Sequence, residues 1–132
     1  MKSVDQKPRV LLVDDYGDAR EMYAAFLGVL GFETVQAANG VEALRQVQEC
    51  RPDIVVMDLS LPVMDGWETT CRLRADERTA KIPIVALSGH ALADVAPKTN
   101  HAGFDSFIVK PCLPEELIAE IRRVLAAEAT QD

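Results

Sequence analysis

Five short apolar runs, each followed by a stretch with helical periodicity, organise the chain. Residues 9–13 (RVLLV), 54–57 (IVVM, running straight into Asp58) and 82–87 (IPIVAL) are almost unbroken in apolar side chains. Such runs, bounded by turn formers, read as strands buried on both faces. Residues 32–37 are half polar, which suits the edge of a sheet, and 104–109 supply a fifth strand. The spacing predicts a helix over 18–30, with Met22, Phe26 and Leu30 on one core-facing stripe, Tyr23 and Leu27 beside it, and Gly31 as its stop. Asn39 with Glu42 three residues on resembles a capping box, opening a helix to about Cys50 with Ala43, Leu44 and Val47 inward. Asp65 and Glu68 repeat that arrangement for a helix over 65–75, with Trp67 packed near its start. Residues 91–102 read as helical, but Pro97 requires a late start near Asp94 or a kink. Pro114 begins a last helix with Glu115 and Glu116 in its first turn, and Leu117, Ile121 and Val124 with Ile118 and Leu125 as its apolar stripe.

Strands alternating with helices imply a parallel sheet covered on both faces by right-handed crossovers. The expected fold is α/β, a five-stranded parallel sheet flanked by five helices. A chain of 132 residues fits one domain over 9–127, with a flexible N-terminal tail over 1–8 and a C-terminal tail over 128–132. There are no internal repeats or low-complexity tracts.

Composition narrows the partners. The net charge of −7 repels phosphate backbones and argues against direct nucleic-acid binding. No apolar run approaches the ~18 residues that suggest a membrane span, and no charged-then-apolar leader opens the sequence. A cytoplasmic protein with no membrane contact is therefore expected. Cys50, Cys71 and Cys112 are odd in number and widely spaced, which suits reduced structural thiols.

The strand ends carry the chemistry. The first strand runs into Asp14 and Asp15, the third into Asp58, the fourth into Ser88 and the fifth into Lys110. A parallel sheet gathers all five on one rim, the edge at which open α/β sheets bind ligands. Pro62 and the Asp65-Gly66 pair turn the following loop back over Asp58. Three carboxylates in one place repel unless a cation lies among them, and an oxygen-only set suits Mg²⁺ better than zinc. A lysine and a hydroxyl at the same rim match the needs of a phosphoryl group. Asp58 is thus a candidate carboxylate nucleophile. Singly, Asp14-Asp15 reads as a solvated turn, Lys110 as a surface charge, His90 as a solvent-facing loop residue and His101 as a helix C-terminal residue. Together the rim set reads otherwise.

The motifs VDD at 13–15, VVMDLSLPVMDG at 55–66, ALSG at 86–89 and FIVKP at 107–111 resemble those of the receiver domains of two-component response regulators, chemotaxis regulators among them. The similarity covers roughly residues 8–127. It implies a flavodoxin-like doubly wound fold of strand order 2-1-3-4-5. It also implies a signalling phosphoacceptor rather than an enzyme, serving a phosphorelay as a receiver domain or single-domain response regulator. By resemblance Asp58 is the residue phosphorylated by a sensor histidine kinase or histidine phosphotransfer protein. Asp15 is the direct magnesium ligand, Asp14 holds metal-bound water, and the backbone carbonyl of Ser60 is the remaining protein oxygen on the metal. Ser88 is the switch hydroxyl, Lys110 pairs with the phosphoryl oxygens, and Phe107 is the aromatic that turns inward on activation. The resemblance further implies a cis Lys110-Pro111 bond.

Ser60 and His90, two positions beyond Asp58 and Ser88, stand where family members tune phosphoryl lifetime. A downstream protein partner is expected on the face made by 91–107 and 114–127, with the chain a monomer or a phosphorylation-dependent dimer. Phe107 lacks the hydroxyl of the tyrosine often found there, and Ser88 lacks the methyl of the more frequent threonine. Two rivals fit less well. A haloacid dehalogenase-type phosphohydrolase places a second aspartate where this chain has Ser60, and a flavin-binding flavodoxin needs a hydroxyl- and glycine-rich loop where this chain has DDYGD.

Overall fold

Runs of Val, Ile and Leu with no polar face must be covered on both sides, and this sets the architecture. A computed structural model describes residues 7–89 and 103–129. In chain order the elements are β1 (Arg9–Val13), α1 (Gly17–Val29), β2 (Glu33–Ala37), α2 (Gly40–Cys50), β3 (Ile54–Asp58), α3 (Gly66–Ala75), β4 (Ile84–Ser88), β5 (Ser106–Val109) and α4 (Pro114–Ala129). The strands form one parallel sheet of order β2-β1-β3-β4-β5. The expected sheet and its strand order are therefore present, with four helices among the described residues. The predicted helix over 91–102, with Pro97, lies outside them.

Alternation along the central strands divides the core in two. Val10, Leu12, Ile54, Val56, Val85 and Leu87 face one side, where they pack with Tyr23 and Leu27 of α1 and Leu117 and Ile121 of α4. Leu11, Val13, Val55, Met57 and Ile84 face the other, against Ala43 and Val47 of α2 and Leu73 of α3. Removing one such leucine costs about 2–5 kcal/mol in a well-packed interior.

The helix starts follow the sequence signals. Asn39 Oδ1 accepts from the Glu42 N–H at 2.8 Å while Glu42 Oε1 accepts from the Ala38 N–H at 3.0 Å, so each satisfies an orphan donor of the other's turn. Asp65 Oδ1 likewise accepts from the Glu68 N–H at 2.9 Å. Trp67 packs edge-on to Phe104, with ring centroids 5.3 Å apart. The strand bounds are shorter than the apolar runs: β4 begins at Ile84 and β5 at Ser106, just before which Asp105 donates its N–H to the Ile84 carbonyl at 2.9 Å. Its carboxylate accepts from the Ile84 N–H and from Arg74.

The expected core-facing side of α1 is half right: Tyr23 and Leu27 are buried, but the Met22, Phe26 and Leu30 stripe is not. Met22, Phe26 and Leu30 are 41%, 40% and 44% exposed, and the buried residues are Tyr23, Ala24 and Leu27. The apolar arc from 22 to 30 is wider than β1 and α4 can cover. The helix turns its small Ala24 inward for close approach, leaving the flank with Met22 and Phe26 outside. On α4 the predicted stripe is the buried one, with Leu117, Ile118, Ile121 and Val124 inside and Leu125 packed against them.

Register delivers the rim. Val13 pairs with Met57, Asp58 with Leu87 and Ser88 with Val109, so the strands run out nearly level. Gly66, the first residue of α3, lies so close that a Cβ there would stand 2.5 Å from the Asp58 carbonyl oxygen. Only glycine lets the loop fold this tightly over β3.

A carboxylate and lysine site at the sheet rim

Asp14 and Asp58 are buried where β1 and β3 end, and Asp15 beside them is exposed. One carboxylate oxygen from each of the three lies within 4.8 Å of the others. Lys110, immediately after β5, places its Nζ 2.7 Å from Asp58 Oδ2 and 3.4 Å from Asp14 Oδ2. The remaining oxygens are oriented by backbone. The Ser60 N–H donates to Asp58 Oδ1 at 2.9 Å, and the Tyr16 N–H donates to Asp14 Oδ1 at 2.9 Å.

Burial pushes the Asp14 carboxyl above its ordinary value, and the neighbouring Asp58 charge adds to this. The Tyr16 N–H and the Lys110 ammonium oppose that rise without cancelling it. For Lys110, burial acts to lower the pKa, but the hydrogen bond and charge of Asp58, with Asp14 behind, outweigh it. The lysine is therefore held as an ammonium ion. Three carboxylates against one ammonium leave a formal excess of two negative charges in this pocket. A hard divalent cation offsets that excess, and among the described residues the donor set is oxygen only, without imidazole or thiolate. The residues fit Mg²⁺.

Other sequence-predicted positions fall around this centre. Ser88, the last residue of β4, is buried, and its carbonyl accepts from the Lys110 N–H at 2.7 Å. Phe107 lies opposite Ala86 in the β4–β5 ladder and is half-buried. Ser60 is exposed and meets Asp58 through its own N–H. His90 lies outside the described residues. The Lys110-Pro111 peptide bond is cis, as the motif implied.

Two residues with no sequence signal also belong here. Arg20 donates through Nη1 to the Asp14 carbonyl at 2.7 Å and through Nε to Gln36 Oε1 at 2.9 Å, tying the acidic turn to β2. Tyr23 donates through its hydroxyl to the Cys112 carbonyl at 2.9 Å, just past the lysine. Nothing in residue type or spacing marks either as different from an ordinary helical side chain.

Residues 10–122 match the family model of the response regulator receiver domain, a span containing every element of this rim. The chain belongs to that family. As a receiver domain it is a signalling phosphoacceptor of two-component systems rather than a classical enzyme, and its acidic pocket is of the kind that holds Mg²⁺ in receivers. The transcriptional regulatory protein PrrA of Mycobacterium tuberculosis is 38% identical over 118 residues, covering 89% of this chain and 50% of PrrA. The phosphate regulon regulator PhoB of Pseudomonas aeruginosa is 36% identical over 116 residues, covering 88% of this chain and 51% of PhoB. The receiver thus spans about half the length of the curated relatives it matches.

Among solved structures, the chemotaxis response regulator CheY4 of Vibrio cholerae superposes with a TM-score of 0.85 at 32% identity, covering 90% of this chain and 99% of CheY4. The receiver domain of the sensor histidine kinase PA1611 of Pseudomonas aeruginosa gives 0.83 at 31% identity, covering 92% of this chain and 99% of that one. That domain carries a magnesium ion coordinated in its active-site cleft. Among the described residues of the present receiver, no helix is long and apolar enough to cross a membrane.

Proposed function

We propose that this receiver accepts a phosphoryl group on Asp58 from a sensor histidine kinase or histidine phosphotransfer protein, and that the modified form acts by binding a protein partner. The observation that carries the reading is the 2.7 Å pairing of Lys110 with Asp58 beside two further carboxylates. In the transfer an Asp58 oxygen forms a bond to phosphorus as the bond from phosphorus to the donor imidazole breaks, and the imidazole leaves with that electron pair. Asp14 and Asp15, with Asp58 and the Ser60 carbonyl, would hold Mg²⁺. When bound, the cation neutralises charge on the transferring group. Lys110 pairs with the phosphoryl oxygens, and the Ser60 N–H keeps the Asp58 carboxylate oriented.

After transfer, a dianionic group on Asp58 draws the Ser88 hydroxyl inward. That movement vacates space which the half-buried Phe107 fills, reshaping the face formed by 91–107 and 114–127. Ser60 and His90, two positions beyond Asp58 and Ser88 in sequence, are the residues expected to tune the lifetime of the phosphoryl group. Direct nucleic-acid contact by this receiver is disfavoured by the net charge of −7.

A phosphotransfer profile tests the reading. Labelled histidine kinases and phosphotransfer proteins are each mixed with the wild-type receiver and with Asp58→Asn in magnesium buffer. Transfer to wild type alone is expected for the cognate donor; equal labelling of the variant rejects Asp58 as acceptor. Amide hydrogen exchange with a stable phosphoryl mimic tests the switch, which fails if changes stay within 14–18 and 58–66.

A further inference from the structure

The lysine that meets Asp58 is anchored from two directions. On its N-terminal side the Lys110 N–H donates to the Ser88 carbonyl at 2.7 Å, fixing it to β4. On its C-terminal side the Cys112 carbonyl accepts from the Tyr23 hydroxyl at 2.9 Å, fixing it to α1. Both Tyr23 and Cys112 are buried in the cluster with Leu12, Leu117 and Ile118. Tyr23 therefore spends its only polar side-chain atom on the main chain two residues past the lysine. Burial, together with the Cys112 contacts, pushes its phenol pKa up, so the group remains a donor through the physiological range.

The same helix holds the acids. The segment leading into α1 leaves directly from Asp14 and Asp15, and the Arg20 side chain grips the Asp14 carbonyl one turn before Tyr23. One rigid element thus bonds to the carboxylate side of the pocket through Arg20 and to the lysine side through Tyr23. A buried hydroxyl facing an apolar cluster has a desolvation cost that packing alone does not require, since phenylalanine would fill the same ring volume.

We propose that Tyr23 is a positioning residue for phosphoryl transfer: its hydroxyl, through the Cys112 carbonyl, sets the turn that holds Lys110 against Asp58. The inference rests on the phosphoacceptor reading above and adds a residue that touches neither the donor nor the acceptor. A helix carrying both grips also ties the position of Lys110 to that of the Asp14 turn.

The test is a double-mutant cycle read with acetyl phosphate as donor. Tyr23→Phe keeps the ring and is expected to slow phosphorylation roughly threefold to tenfold, the scale of one neutral hydrogen bond. Its Mg²⁺ affinity, measured by titration calorimetry, is expected to stay at the wild-type value, because the carboxylates are untouched. In a Lys110→Gln background, which is already slow, adding Tyr23→Phe should cause no further loss. Heteronuclear NMR of the lysine ammonium groups should show the Lys110 signal moving toward those of exposed lysines in Tyr23→Phe. An unchanged rate in Tyr23→Phe overturns the proposal, and so does an equal loss in both backgrounds, since a general loss of structure would act without Lys110. Failure of the parent reading shows separately: wild type would then take no label, or Asp58→Asn would take it equally.

Discussion

Lys110 and Asp58 form a 2.7 Å ion pair in which the carboxylate is buried and the ammonium reaches it from the end of β5, across β4. Removing one partner of such a pair leaves an uncompensated buried charge. Lys110→Gln is therefore expected to destabilise the metal-free protein by about 3 kcal/mol. Millimolar Mg²⁺ should restore most of that loss, because a cation among the carboxylates replaces the missing charge. Urea unfolding of wild type and variant, each with and without Mg²⁺, checks this. A loss that is the same in both buffers would argue that the lysine is only a packing residue.

The loop between β3 and α3 carries a strained position. Val63 has φ of +68° and is 93% exposed, at the centre of a tight turn closed by the Met64 N–H donating to the Pro62 carbonyl at 2.7 Å, a conformation unfavourable for a β-branched residue. Val63→Asn relieves that conformation and is expected to stabilise the fold by about 1 kcal/mol. Val63→Gly would relieve the same strain but give part of the gain back through unfolded-chain entropy. The midpoint of urea unfolding reads the difference; a Val63→Asn protein no more stable than wild type would contradict it.

Acid sensitivity has a source away from the rim. Glu120 of α4 accepts from Arg123 at 2.7 Å and from the Ser106 hydroxyl, and its pKa falls from 4.5 to about 2, led by the Arg123 hydrogen bond. A depressed folded-state pKa contributes stability that is present above the unfolded value and is lost as pH falls toward the folded one. Glu120→Gln should therefore be less stable than wild type near neutral pH, with the gap closing between about pH 4.5 and 2. The glutamate is only partly buried, so added salt should shrink the gap. Denaturation across that pH range reads both effects, and a gap constant with pH would exclude this account of Glu120.

Much of this protein was legible in its residues. Apolar runs ending in Asp14, Asp58, Ser88 and Lys110 announce the rim, because a parallel sheet leaves its strand ends level and continuous runs fix which segments are central. The Asn39–Glu42 and Asp65–Glu68 caps were readable because capping needs particular side chains at a fixed spacing. The buried side of α1 was not readable. Nearly every residue from 22 to 27 is apolar, so periodicity could not say which flank the sheet covers, and the close approach at Ala24 decided it. Arg20 and Tyr23 were invisible for a different reason. Their partners are main-chain carbonyls, which any sequence supplies, so only the fold shows that one belongs to Asp14 and the other lies two residues past Lys110.

The central claim is tested most directly by locating the phosphoryl group itself. The protein is incubated with acetyl phosphate and Mg²⁺, digested, and its peptides fragmented by mass spectrometry. One phosphoryl group on Asp58 is expected, absent when chelator is in excess and absent from Asp58→Asn. A phosphoryl group found on another residue, or labelling that persists in chelator or in the variant, would contradict the assignment of this site.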